Sequence, residues 1–232
     1  MNTLTNMINN GGKLDMPVIS ATLSSTSNSH VAQRSTAVMR YFAKITLFSF
    51  LLSPFAQSFT YAQEFDKETA VQEVKAITKA FAGSLQSELQ GAMKSGGPLN
   101  ALNVCNVEAM PITAKSAENS NALISRVSLK NRNPANVPND WQRAVLEDFD
   151  KRAADGEDPA TMASATVVQT DDGKHQMRFM KATPAGGVCL ACHGQQIDTE
   201  LQSKLDELYP EDKATGYSLG EVRGAIVVIK DY

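Results

Sequence analysis

Residues 186–196 read GGVCLACHGQQ, and within them Cys189, Cys192 and His193 stand in Cys-x-x-Cys-His spacing. That pattern attaches a c-type haem through two thioethers. The chemistry needs two thiols close enough to meet the two vinyl groups on one edge of a porphyrin, which sets the next residue, His193, beneath the iron. Neutral imidazole is a good iron ligand, and its other ring nitrogen is expected to donate to a carbonyl or carboxylate. Gly187 and Gly194 flank the motif and let backbone approach a macrocycle. The open question is which residue holds the other face of the iron.

The chain has three cysteines. With Cys189 and Cys192 spent as thioethers, Cys105 is left over. Zinc would need two further soft ligands, and only one other cysteine exists. A thioredoxin-like pair gives no role to the adjacent histidine. From the residues alone the far face is open to Cys105, to His175, to one of Met93, Met110, Met162, Met177 and Met180, or to nothing. Methionine is the ordinary partner in electron-carrying cytochromes c. Met177, however, shares a strand face with Phe179 and His175, which suits core packing, and His175 follows a hairpin turn. Cys105 fits two roles: a small buried residue on an apolar helix face, or an iron ligand whose thiol loses its proton to the metal.

Residues 39–63, MRYFAKITLFSFLLSPFAQSFTYAQ, begin with Arg40 and Lys44, continue with an apolar run from Ile45 to Leu52 and leave through Thr60-Tyr61-Ala62. This reads as a secretory signal cut near Ala62. The run falls short of the roughly 20 apolar residues that span a bilayer; a retained anchor facing the periplasm is the alternative. Residues 1–38 are rich in Ser, Thr and Asn without apolar period, and read as a disordered extension or one upstream of the true start at Met39. That leaves 63–232 as a single periplasmic domain, a reasonable size for one core. Without the first 62 residues the chain carries 18 Lys and Arg against 24 Asp and Glu, a formal charge of −6. No basic face is available for nucleic acid, whereas a basic redox partner is compatible.

Val74, Ile77, Phe81 and Leu85 recur at helical spacing in a long helix from Glu64 to about Gln90, which Gly91 and Ser95-Gly96-Gly97-Pro98 are expected to stop. Its edge position suits pairing with a second copy. A second helix, Leu99 to Ala117, carries Cys105 and should be interrupted at Pro111. ALISRVSL, 122–129, reads as a strand and KNRNPANVPND as turns. Asn139 or Asp140 caps a helix through Trp141, Val145 and Phe149 that ends at Gly156. Two alternating segments around Asp172-Gly173 form a hairpin. Asp198 caps a helix to about Leu208, and EVRGAIVVIK closes the chain as a strand. An antiparallel sheet with helices on one side, an α+β fold, follows.

Four blocks in order, ALNVCNVEAMPITAKSAE, RVSLKNRNPANVPNDWQ, FMKATPAGGVCLACHG and YPEDKATGYSLGEVRGAIVV, make residues 101–230 resemble a PAS-like c-type haem domain family. The resemblance implies a five-stranded antiparallel sheet with helices packed around it, and one haem c with His/Cys axial ligation. It places Cys105 as the distal ligand opposite His193. Arg126, Lys130 and Arg132 then become candidates for the haem propionates, since arginine's fork suits carboxylates. Tyr217 becomes a pocket residue.

Thiolate favours ferric iron and a low potential. On reduction it is more easily protonated and released, opening a site for nitric oxide or carbon monoxide. The expectation is a non-enzymatic redox or gas sensor with Cys105 as a labile ligand, acting through a separate signalling partner. A simple periplasmic electron-transfer cytochrome is the alternative. Peroxidase-like catalysis would need an open distal position, which Cys105 closes.

Overall fold

A computed structural model describes residues 64–232; the signal peptide and the extension read at 1–62 lie outside them. Helix α1 (Lys67–Asn103) starts at Asp66, whose carboxylate accepts from the Glu68 amide at 2.9 Å. Gly91 does not stop it. A helical glycine costs only about 1 kcal/mol, and the turns beyond it continue to Ser95. The break comes at Gly96 and Gly97, the latter at φ 68°, where the helix kinks. The Asn100 side chain ties the bend by donating to the Ala92 carbonyl at 3.2 Å.

After the bend the helix widens into a π-helical turn (Val104–Glu108) and resumes as α2 (Ala109–Ser120). The interruption expected at Pro111 thus falls just upstream of it. A wider turn absorbs the missing N–H and the ring of proline, which a regular α-turn does not. Cys105 sits in this turn.

The sheet comprises β1 (Leu123–Val127), β2 (Ala163–Gln169), β3 (His175–Pro184) and β4 (Val222–Asp231), in the order β1-β4-β3-β2 with every pair antiparallel. The hairpin at Asp172-Gly173 joins β2 to β3, with the Gly173 amide donating to Thr170 at 2.9 Å. The described residues form four strands, not the five that the resemblance implied.

Helices cover both faces, not one. Alternation along β3 and β4 sends Phe179 and Val228 to one side, where they meet Val74 and Phe81 of α1. It sends Met180 and Val227 to the other, against Leu146 and Phe149 of α3 (Asp140–Ala154). Both faces of the central strands are therefore apolar, and a reading based on one buried face undercounted the layers. Helix α3 opens with a capping box between Asn139 and Gln142. The result is an α+β domain with a long N-terminal helix.

Candidate haem-attachment site

A short 3-10 turn (Gly187–Cys189) runs into the single-turn helix α4 (Leu190–His193). Residues three and four apart share a helical face, so this turn sets Cys189, Cys192 and His193 toward one side. Gly194 ends it. A Cβ there would stand 2.5 Å from the Leu190 carbonyl oxygen, so this glycine serves a close approach within the protein. Its carbonyl accepts from the Gly216 amide, and that of His193 accepts from Tyr217, both at 2.9 Å. Leu102, Leu201 and Leu205 of α1 and α5 (Thr199–Leu208) pack with Cys192 and Ile197, anchoring the motif from the other side.

The motif opens onto a cavity of about 520 Å³ under the far half of α1, within the usual range of ~300–1,000 Å³ for ligand pockets. Ala82, Leu85, Leu89 and Met93 supply an apolar wall at helical spacing, and Cys105, Cys189, Cys192 and His193 all line the same space. All three cysteines are free and half-buried. Burial pushes the Cys105 thiol up, an effect opposed by the charges of Arg126, Arg132 and Arg223. The Cys192 thiol is pushed up for the same reason, with Arg132 opposing.

His193 is fixed in one orientation. Its Nδ1 lies 2.7 Å from the Ala214 carbonyl oxygen and donates to it, leaving Nε2 with a free lone pair. Burial, then the charges of Arg223 and Arg132, holds its pKa down to about 3, so the ring is neutral. Tyr217 meets it edge-on, with ring centroids 6.4 Å apart.

The candidate propionate residues divide. Arg126, on β1, lines the cavity, and burial lowers its pKa. Arg132 also lines it but is engaged: its Nε donates to Asp212 at 2.9 Å and its Nη2 to the Cys192 carbonyl at 2.6 Å. Lys130 and Tyr217 line a neighbouring cavity of about 560 Å³, where the ammonium rests 4.4 Å from the Tyr217 ring centre. Sequence reasoning missed Arg223 of β4. It lines the first cavity, and its Nε is buried without a hydrogen-bond partner. The available signal was a cation interrupting the apolar strand VRGAIVVI. Asp212 and the Ala214 carbonyl were missed as well, the latter because backbone acceptors leave no residue-type signal.

Of the other distal candidates, His175 stacks on Phe65 at the opposite end of β3 from Pro184, about 30 Å away along the strand. Met162, Met177 and Met180 are fully buried in the core and Met110 is exposed. Met93 and Cys105 are the sulfur side chains that reach the cavity from the helices.

The donor set suits a haem. Two thiols stand on one helical turn, a neutral imidazole presents Nε2, a third sulfur comes from another element, and an orphaned guanidinium N–H waits for an acceptor within mainly apolar walls.

A family model described as Tll0287-like matches residues 25–230. No curated protein matches the chain. Among solved structures, the crystal structure of the cyanobacterial heme-protein Tll0287 is similar at 23% identity and a TM-score of 0.46, covering 69% of this chain and 91% of that one.

Proposed function

The chain belongs to the Tll0287-like family, and from that premise we propose that it is an exported c-type cytochrome with one covalently bound haem. The observation that carries this reading is the meeting of Cys105, Cys189, Cys192 and His193 at one apolar cavity, with the imidazole already turned by the Ala214 carbonyl. Cys189 and Cys192 would hold the haem through thioethers, and the His193 imidazole and the Cys105 sulfur would bind its iron. Arg126 and Arg223, which have no carboxylate partner among the described residues, receive the propionates.

A haem held there supplies a ferric/ferrous one-electron couple of low potential, set by the thiolate. Cys105 would hold ferric iron as its thiolate. Protonation of that sulfur, favoured once an external low-potential donor had reduced a bound haem, would free Cys105 and make it the residue that opens the pocket to a diatomic gas. The domain acts as a non-enzymatic redox or gas sensor in the periplasm, through a separate partner protein. No helix among the described residues is long and apolar enough to cross a membrane.

The test is expression with a haem-attachment system, followed by denaturing electrophoresis with haem staining. Retained haem that is lost in Cys189→Ala/Cys192→Ala supports covalent attachment, and haem extractable from the wild type overturns it. Carbon monoxide binding after reduction supports the sensor. A ferrous form inert to carbon monoxide overturns it in favour of plain electron transfer.

A further inference from the structure

Arg132 and Asp212 form an ion pair in which each side chain is only 7% exposed. Buried pairs of this kind add little net stability over an apolar pair of similar size, so their geometry invites another explanation. The hydrogen bonds around them close a circuit. Arg132 Nη2 donates to the carbonyl of Cys192, the residue before His193, at 2.6 Å. His193 Nδ1 donates to the Ala214 carbonyl at 2.7 Å. The Ala214 amide donates to Asp212 Oδ1 at 2.8 Å, and Asp212 Oδ2 accepts from Arg132 Nε at 2.9 Å. A longer contact of 3.4 Å links Arg132 Nη2 to the Ala214 carbonyl itself.

Each member is held by the next. Helix α4 is a single turn, and the carbonyls at its end have no following amides of their own. Arg132 satisfies that of Cys192 and pins the turn. Asp212, gripped by the same guanidinium, fixes the bend that aims the Ala214 carbonyl at the imidazole. The planar fork holds its Nε and Nη2 donors at a fixed separation and angle, one for the carboxylate and one for the carbonyl; a lysine ammonium is a point charge on a flexible stem and fixes neither.

We propose that Arg132 and Asp212 are a positioning pair for His193, fixing the tautomer and plane of its ring so that Nε2 faces the cavity in the bare polypeptide, before any porphyrin is attached. Arg132 is thereby a staple of the attachment loop and not a propionate partner. The link to iron rests on the haem reading above; the tautomer claim concerns this chain alone.

The experiment is nitrogen NMR on the full haem-free chain carrying labelled histidine, comparing wild type with Arg132→Lys, Arg132→Gln and Asp212→Asn at neutral pH. Wild type is expected to show His193 as the Nδ1–H tautomer. Both Arg132 variants should lose that preference by about fivefold, the population equivalent of one ordinary hydrogen bond. The lysine variant should fail with the glutamine one, because it keeps the charge and loses the fork. Wild-type tautomer ratios in both, or in the lysine variant alone, overturn the proposal. Should the Arg132 variants not fold, Asp212→Asn decides: it keeps an acceptor for the Ala214 amide, and an unchanged ratio there overturns the pair's role. Haem staining reads the cofactor separately. Shifted tautomers in the variants of a chain whose wild type never retains haem support the positioning pair and overturn the haem reading.

Discussion

Gly224→Ala tests how closely β1 and β4 approach at the wall of the cavity. A Cβ at residue 224 would lie 2.3 Å from the Val127 carbonyl oxygen and 3.2 Å from Ser128 Cβ. The first contact is with backbone and cannot be relieved by a rotamer change, so the strands must part by about 1 Å to restore van der Waals distance. Overpacking of this kind costs ~1–3 kcal/mol. The parting also strains two hydrogen bonds at the same junction, Ser128 Oγ to the Arg223 carbonyl at 2.8 Å and Arg223 Nη1 to Ser128 Oγ at 2.9 Å. Each is worth ~1 kcal/mol. The sum is about 4 kcal/mol, which for a domain of this size corresponds to a fall of roughly 10 °C in melting temperature. Urea unfolding followed by circular dichroism measures it. A variant within about 1 kcal/mol of wild type would refute the reasoning, because the close approach at Val127 would then not be a feature of the folded chain.

In the haem-loaded protein, Cys105→Ala should abolish the low-spin thiolate signature in the ferric spin-resonance spectrum, while Met93→Leu should leave it intact. A wild-type ferric spectrum without thiolate character, changed by Met93→Leu and not by Cys105→Ala, would make Met93 the distal ligand. Leu205→Ala removes a fully buried side chain between α5 and the motif and should cost ~2–5 kcal/mol, read by urea unfolding of the haem-free chain. Burial, with Glu221 and Glu147 nearby, raises the Asp150 pKa above 3.8. Its charged form therefore penalises folding above the raised value, and the penalty disappears as pH falls below the unfolded value. Asp150→Asn should raise the urea midpoint at pH 7 and leave it unchanged near pH 3; an equal gain at both would exclude the charge as its origin.

The elements were legible where side-chain pattern decides them. Val74 and Phe81 marked the first helix, Asn139 the capping of α3, and Asp172-Gly173 the hairpin. The gathering of Cys189, Cys192 and His193 on one turn was legible because their spacing is local. Pattern failed where partners are distant. Gly91 looked like a stop because propensity carries no knowledge of the far half of α1 packing over a cavity. The single-sided sheet was misjudged because Phe179 and Met180, adjacent and both apolar, need both layers to be seen. Arg132 read as a candidate for the haem propionates; its engagement with Asp212, eighty residues away, leaves no local signal. The π-helical turn at Cys105 was visible only as a proline nearby.

The lining of the cavity has a consequence for the order of manufacture. Its roof, residues 82–105, is made before its floor, which includes residues 183–193, and before a wall formed by 223–226. The wall on β4 is thus added after the turn that carries the cysteines, and a rigid plate fastened to Cys189 and Cys192 would have to be in hand before β4 closes beside β1, or the strand would have to lift again to admit it.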